Sequence, residues 1–194
     1  MARPPGKCRV MKAVMADGET AGFAVWAFGG FEHVFKGEGV PAPVINYGEK
    51  DQEEKGKEDE VQEGESKTKT KIQELAEITN SSMEEWQARF MPPGFRCMVL
   101  VAISVLPKYQ GQGIDSALIK WGTEIADREG VYCWVSSSDK GWGAFQKMGF
   151  REVGRLSVDL DDFADEGIRN EQREDGKWED YHLRYMRRGL DLCM

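Results

Sequence analysis

The stretch LVAISVLPKYQGQGIDSAL, Leu100 to Leu118, runs from an apolar strand through a glycine-rich turn directly into an amphipathic helix. Glycines let backbone approach a ligand closely. The first N–H groups of a helix have no intrahelical partner and carry the positive end of its macrodipole. The pattern is that of a phosphate cradle, so an anionic cofactor is expected there. Two better-known phosphate motifs do not fit. No Lys-Ser/Thr pair follows the turn, as a P-loop requires, and Gln110-Gly111-Gln112-Gly113 lacks the third glycine and the later acidic residue of a dinucleotide fold.

Working outward, Cys97 to Leu106 is a continuous apolar run, as expected of a strand buried on both faces. After the turn, Ile114, Ala117, Leu118, Trp121 and Ile125 recur at helical spacing, and Gly130 stands where a C-terminal cap belongs. Val131 to Val135 is the next buried strand, and strand, helix, strand in this order implies parallel neighbours with a right-handed crossover. A second helix follows, capped by Ser138 or Asp139, with Trp142, Phe145 and Met148 as its apolar stripe and Gly149 at its end. Phe150 to Val158 and Tyr181 to Met186 read as two further strands across the acidic loop Asp159 to Lys177.

Upstream, Val10 to Val14 and Ala21 to Phe28 read as a β-hairpin ended by Gly29-Gly30. Ile72, Leu75, Ala76 and Ile78 suggest a helical turn or more. Ser82 with Glu85 reads as a capping box opening a short helix through Phe90, before Pro92-Pro93-Gly94 breaks the chain.

The chain has 194 residues, 40% apolar and 31% charged, which suits one soluble domain over 1–194 with a full core. No apolar run reaches the length of a membrane span and no apolar signal core follows the first charges, so a cytoplasmic, alternatively nuclear, protein is expected. Cys8, Cys97, Cys133 and Cys193 lack metal-ligand spacing, and with only His33 and His182 besides, no metal is expected; reduced structural thiols are. The net charge of −8 is concentrated in an insertion at about 46–70, where Glu49 to Glu65 holds nine acidic residues against three lysines. A solvated, disordered loop is the expectation, with an acidic docking tail for a basic partner as the alternative. The charge disfavours nucleic-acid binding.

Gln110-x-x-Gly113-x-Asp115, preceded by Val105-x-Pro107-x-Tyr109, resembles the acetyl-CoA motif of the GNAT family of N-acetyltransferases, Gln/Arg-x-x-Gly-x-Gly/Ala. Asp115 replaces the family's last small residue. Ala144-Phe145-Gln146-Lys147-Met148-Gly149-Phe150 is similar to the family's second landmark, Tyr-x-Lys-x-Gly-Phe. The resemblance spans nearly the whole chain apart from the insertion, in the manner of a fungal-type member without the usual N-terminal strand and helices, one wall of the acceptor site. It implies an α+β or α/β fold: a mixed, mostly antiparallel sheet with a central parallel strand pair and helices on both faces.

It also implies direct attack of an amine, on a small molecule or a protein, upon acetyl-CoA as co-substrate, in a V-shaped gap between the central parallel strands. Pantetheine would pair with Ile103, Ser104 and Val105 like an added strand, and backbone N–H groups from Gln110, Gly111, Gln112, Gly113, Ile114, Asp115 and Ser116 would hold the pyrophosphate. A backbone N–H on the strand Leu100 to Leu106 would polarise the thioester carbonyl. Many members place a Tyr at the position of Phe145 to protonate the leaving thiolate, which Phe cannot do, so activity is expected to be weak. Ser138 stands where the family often has Asn; it either bonds cofactor or water, or simply caps the helix. The strand carries no carboxylate, and Glu32 with His33 is either a base or a solvent-facing loop pair. Met83, Trp86 and Phe90 either line the acceptor side or form core. The alternative to an enzyme is a non-catalytic acyl-CoA-binding or interaction protein of the same fold.

Overall fold

In the computed structural model, whose described residues are 7–30, 70–164, 170 and 176–189, six strands form one sheet in the order β1-β2-β3-β4-β6-β5. The strands are β1 (Lys7–Val14), β2 (Thr20–Gly29), β3 (Cys97–Val105), β4 (Tyr132–Ser137), β5 (Arg151–Val158) and β6 (Tyr181–Arg188). The helices are α1 (Lys71–Phe90), α2 (Ile114–Glu129) and α3 (Asp139–Lys147). β3 and β4 are parallel and every other pair is antiparallel. The expected mixed sheet is present. Helices cover both faces: α2 and α3 one, α1 the other.

α2 starts at Gly113 (φ +80°) and ends at Gly130 (φ +61°), both left-handed positions that favour glycine. Its buried residues Ile114, Leu118, Ile119 and Ile125 join Trp26, Phe28, Met98, Leu100, Cys133, Val135 and Phe145 in the larger core cluster. The Trp26 indole N–H donates to the Leu118 carbonyl (3.3 Å). A Cβ on Gly122 would fall 2.2 to 2.5 Å from that ring, so α2 lies this close to β2 only because residue 122 has no side chain.

On the opposite face, α1 is one continuous helix rather than a turn followed by a separately capped short helix. Its capping box is Thr70 with Gln73, each side chain bonding the other's backbone N–H. Ser82 lies mid-helix, its hydroxyl accepting from Tyr185 (2.8 Å) instead of capping. Ile72 and Ile78 point outward (70% and 43% exposed). The inward stripe includes Leu75, Thr79, Ser82, Trp86 and Phe90, at spacings of three and four. Trp86 stacks on Tyr185 and Phe90 packs on Trp134, forming the second core cluster, while the Tyr132 hydroxyl donates to the Phe90 carbonyl. Trp86 and Phe90 are therefore core.

Only the first half of β3 is buried on both faces, as Cys97 to Leu100; Val101, Ala102 and Ser104 are exposed. Thr70 ends the expected acidic insertion; the rest of it, Glu32, His33 and Cys193 lie outside the described residues. Among those described, no helix is long and apolar enough to cross a membrane, and no His/Cys/Asp/Glu group could hold a metal.

Gly122→Ala should lower the unfolding midpoint. Ala gains up to about 1 kcal/mol of helix propensity, whereas displacing a buried indole costs about 1–3 kcal/mol. Gly143→Ala in α3, where a Cβ meets nothing within 4 Å, should raise the midpoint. Denaturant unfolding of both variants checks the pair, and equal signs would contradict the packing argument.

Candidate functional site

β3 and β4 pair only at Cys97↔Tyr132, Met98↔Cys133 and Val99↔Trp134. Beyond Val99, β3 stays with β2 as far as Gly22↔Val105, shifting register between Val25 and Trp26, while β4 continues along β6 to Ser137↔Arg184. The two parallel strands part. Between them lies a gap of about 240 Å³ lined by Leu100 to Ile103 and Val135 to Ser138, with Gly141 and Phe145 closing it. A larger cleft of about 480 Å³ adjoins it, running from Ile103, Ser104 and Val105 past Tyr109, Gln110, Gly111 and Asp115 to Lys140, Gly141 and Phe145 on α3. One edge of β3 here pairs with β2; the other, beyond Val99, pairs with no strand among the described residues.

The turn into α2 is held from below. Leu106 N–H donates to the Ala21 carbonyl (2.9 Å), and Pro107 to Tyr109 form a single 3-10 turn. Gln110 is committed to this turn through its N–H to the Pro107 carbonyl (3.3 Å) and its side-chain amide to the Val105 carbonyl (3.1 Å). The Gln112 amide donates to the Lys108 carbonyl (3.3 Å). Gly111 and Gly113 both have positive φ (+74° and +80°), and the first bond of α2 runs from Ala117 N–H to Gly113. The N–H groups of Ile114, Asp115 and Ser116 therefore have no acceptor within the helix. Ile114 is buried and anchors the helix start in the core, Asp115 lines the cleft, and Ser116 is half-buried.

Glu19, on the β1–β2 turn, links that turn to the cradle by accepting from Lys108 (2.7 Å) and from the Tyr109 hydroxyl. The Lys108 bond, then the Tyr109 bond, hold its carboxyl below the ordinary value of 4.5. The Glu19 bond in turn raises both partners. This clamp leaves no periodic trace in the sequence, because its members are about ninety residues apart.

Ser138 occupies the N-cap position of α3 but makes no side-chain cap bond; its carbonyl accepts the Ser137 hydroxyl (3.0 Å). Ser138 lines the gap. Ser137, which the sequence reading passed over, lies so close to α3 that a Cβ on Gly141 would be 2.8 Å from its Oγ. Phe145 is buried, packs edge-on against Phe150 at 5.5 Å, and lines both cavities. Asp139 turns away toward β6, where Arg184 binds it (2.6 Å), binds Glu152 (2.7 Å) and covers the Trp142 ring. Burial pushes the Cys97 and Cys133 thiols up to about 11 and about 12, so neither is a thiolate nucleophile near neutral pH. Cys8 is exposed.

Residues 79–150, from the second half of α1 through β3, the glycine turn, α2, β4 and α3, match the model of the acetyltransferase (GNAT) family. The whole sheet has the same fold as arylalkylamine N-acetyltransferase 2 from Aedes aegypti, at TM-score 0.51 and 13% identity over 93% of this chain and 72% of that one. A GCN5-related N-acetyltransferase from Kribbella flavida is similar at TM-score 0.44 and 16% identity, over 96% and 71%. Nourseothricin acetyltransferase is similar at 0.39 and 17%, over 90% of this chain; the chain spans 60% of its length. No curated protein sequence matches the chain.

A carboxylate whose folded pKa lies below its unfolded one stabilises the fold above its ordinary range and loses that contribution as pH falls through the depressed value. The midpoint difference between the wild type and Glu19→Gln should therefore be open at neutral pH and close as pH falls below 4.5. Thermal unfolding across that range checks it. A constant difference would mean that Glu19 acts through shape rather than charge.

Proposed function

We propose that this chain is an acetyl-CoA-dependent N-acetyltransferase that moves an acetyl group to the amine of a small molecule or a protein by direct attack. The carrying observation is that one cleft joins unpartnered N–H groups at the start of α2 to an open edge of β3, the two features a phosphate-bearing, extended pantetheine ligand requires. The thioester supplies an activated acyl group with a good leaving group near neutral pH.

The chain's own residues do the rest by position. Gly111 to Ser116 offer backbone donors to the phosphates, and Ile103, Ser104 and Val105 align the pantetheine arm along β3. A free N–H on the exposed half of that strand polarises the acyl carbonyl, and the parted strands admit the amine at the opposite mouth. Ser138 holds water or cofactor at the gap. Its uncapped hydroxyl supports that role over a purely structural one. The acceptor is an amine of a small molecule or a protein, met in the cytoplasm or nucleus.

One observation favours the second reading, a non-catalytic acyl-CoA-binding protein. Phe145 is buried without a hydroxyl where the gap and the cleft meet. The readings separate on acetyl transfer to a panel of amines alongside CoA calorimetry. Turnover supports the enzyme, and binding without turnover supports the second.

Acetyl-CoA should raise the thermal midpoint by mass action, by about 2.7 kcal/mol of stabilisation at a hundredfold excess over Kd. Gly113→Val should abolish the shift: a Cβ there meets no protein atom within 4 Å, so the branched side chain would stand over the start of α2 where the phosphates are to bind, on a left-handed backbone that valine resists. A full shift in a folded Gly113→Val protein would overturn the cradle.

Phe145→Tyr should raise turnover by roughly tenfold or more while changing acetyl-CoA affinity little, because a hydroxyl beside the sulfur acts as the thiolate develops. Equal turnover would assign that proton to Ser138 or water.

A further inference from the structure

The large cleft has two charged side chains in its lining, and they sit on opposite walls. Asp115 stands in the first turn of α2 and Lys140 in the first turn of α3. Neither forms an ion pair with the other or with any other described residue. The nearest acid in sequence to Lys140 is Asp139, and it is already bound by Arg184 at 2.6 Å, with its carboxyl held low mainly by that bond. Glu152, the other acid of that cluster, is bound by the same arginine and by Arg155. Lys140, an exposed residue of the cleft wall, thus has no described carboxylate partner, while the neighbouring carboxylates are neutralised by arginines.

A lone carboxylate in a cradle for anions is unfavourable unless a cation offsets it once the ligand arrives, because like charges at short range repel. Lysine suits that task as a compact charge with three rotatable donors on a long stem.

Resting on the acetyl-CoA reading above, we propose that Lys140 is a phosphate-binding side chain that grips the ligand from the α3 wall and offsets Asp115 on the α2 wall. Coenzyme A offers two phosphate sources, the pyrophosphate and the ribose 3′-phosphate, and comparison with 3′-dephospho-CoA separates them.

The test is calorimetric Kd for CoA and 3′-dephospho-CoA at low and high salt, using the full chain, Lys140→Met, Lys140→Arg and Asp115→Asn. Lys140→Met keeps the aliphatic stem, and its unfolding midpoint without ligand should match the wild type because the amine has no described protein partner. CoA binding should weaken about tenfold in Lys140→Met at low salt, a change worth 1.4 kcal/mol. The loss should shrink as salt screens the charge, and Lys140→Arg should restore most of the affinity. Asp115→Asn should bind CoA a few-fold more tightly.

If the Lys140→Met loss disappears with 3′-dephospho-CoA, the lysine reads the 3′-phosphate. If it persists, it reads the pyrophosphate. Wild-type binding with an unchanged Kd in Lys140→Met at low salt overturns this proposal and leaves the acetyl-CoA reading standing. A wild type that binds no CoA overturns both.

Discussion

The gap at the centre of this sheet depends on the parting of β3 from β4 after Val99. Three residue pairs hold the parallel strands together, and then each follows its antiparallel neighbour, β3 with β2 and β4 with β6. Such a rift leaves unpaired backbone groups, and an unpaired polar group buried away from water is costly. The structure meets this by exposing the second half of β3 where the rift opens. The same solvated edge that makes the rift tolerable makes it a place where an extended ligand can add main-chain bonds.

The rift stays open because the helices around it are anchored on strands other than the two that part. α2 is drawn onto β2 at the side-chain-free Gly122 and tied to β6 by the two-pronged Arg188–Asp127 pair, at 2.6 and 2.8 Å. α1 is keyed to β5 and β6, where Trp86 stacks on Tyr185 and fills the space over Gly154, whose added Cβ would lie 2.1 Å from the indole. Closing the rift would therefore require moving helices anchored on other strands. A packed interior resists such movement.

The strand, glycine turn, helix and strand from Cys97 to Val135 are legible because each is written in local signals: an apolar run, glycines at a tight turn, a 3.6-residue stripe. α1 departs from the sequence expectation for an equally local reason. Ser82 and Glu85 have capping-box spacing, but the Ser82 hydroxyl is taken by Tyr185 from about a hundred residues away, and helix packing overrides the apparent start. The true box, Thr70 with Gln73, is just as plain in sequence, though it borders the charged insertion rather than an apolar run. The Glu19–Lys108–Tyr109 clamp and the Asp139–Arg184–Glu152 cluster are set by strand register and turn approach, which no spacing rule encodes. For that reason Lys140 stands out only in three dimensions, where Asp139 is seen to be taken and the lysine is not.

Charge poses a further constraint. A chain of net charge −8 repels an anion at long range, yet its cleft offers donors at close range. Screening takes hold beyond about 8 Å at physiological salt, so acids farther than that from the cleft fade into the background while contacts inside the cleft persist. Long-range repulsion slows encounter, and short-range donors slow release. The two respond to salt in opposite directions, so the salt dependence of the whole protein can be nearly flat even when a single lysine matters. The local contribution shows in the difference between proteins that differ by that one charge, where the long-range background is nearly common to both.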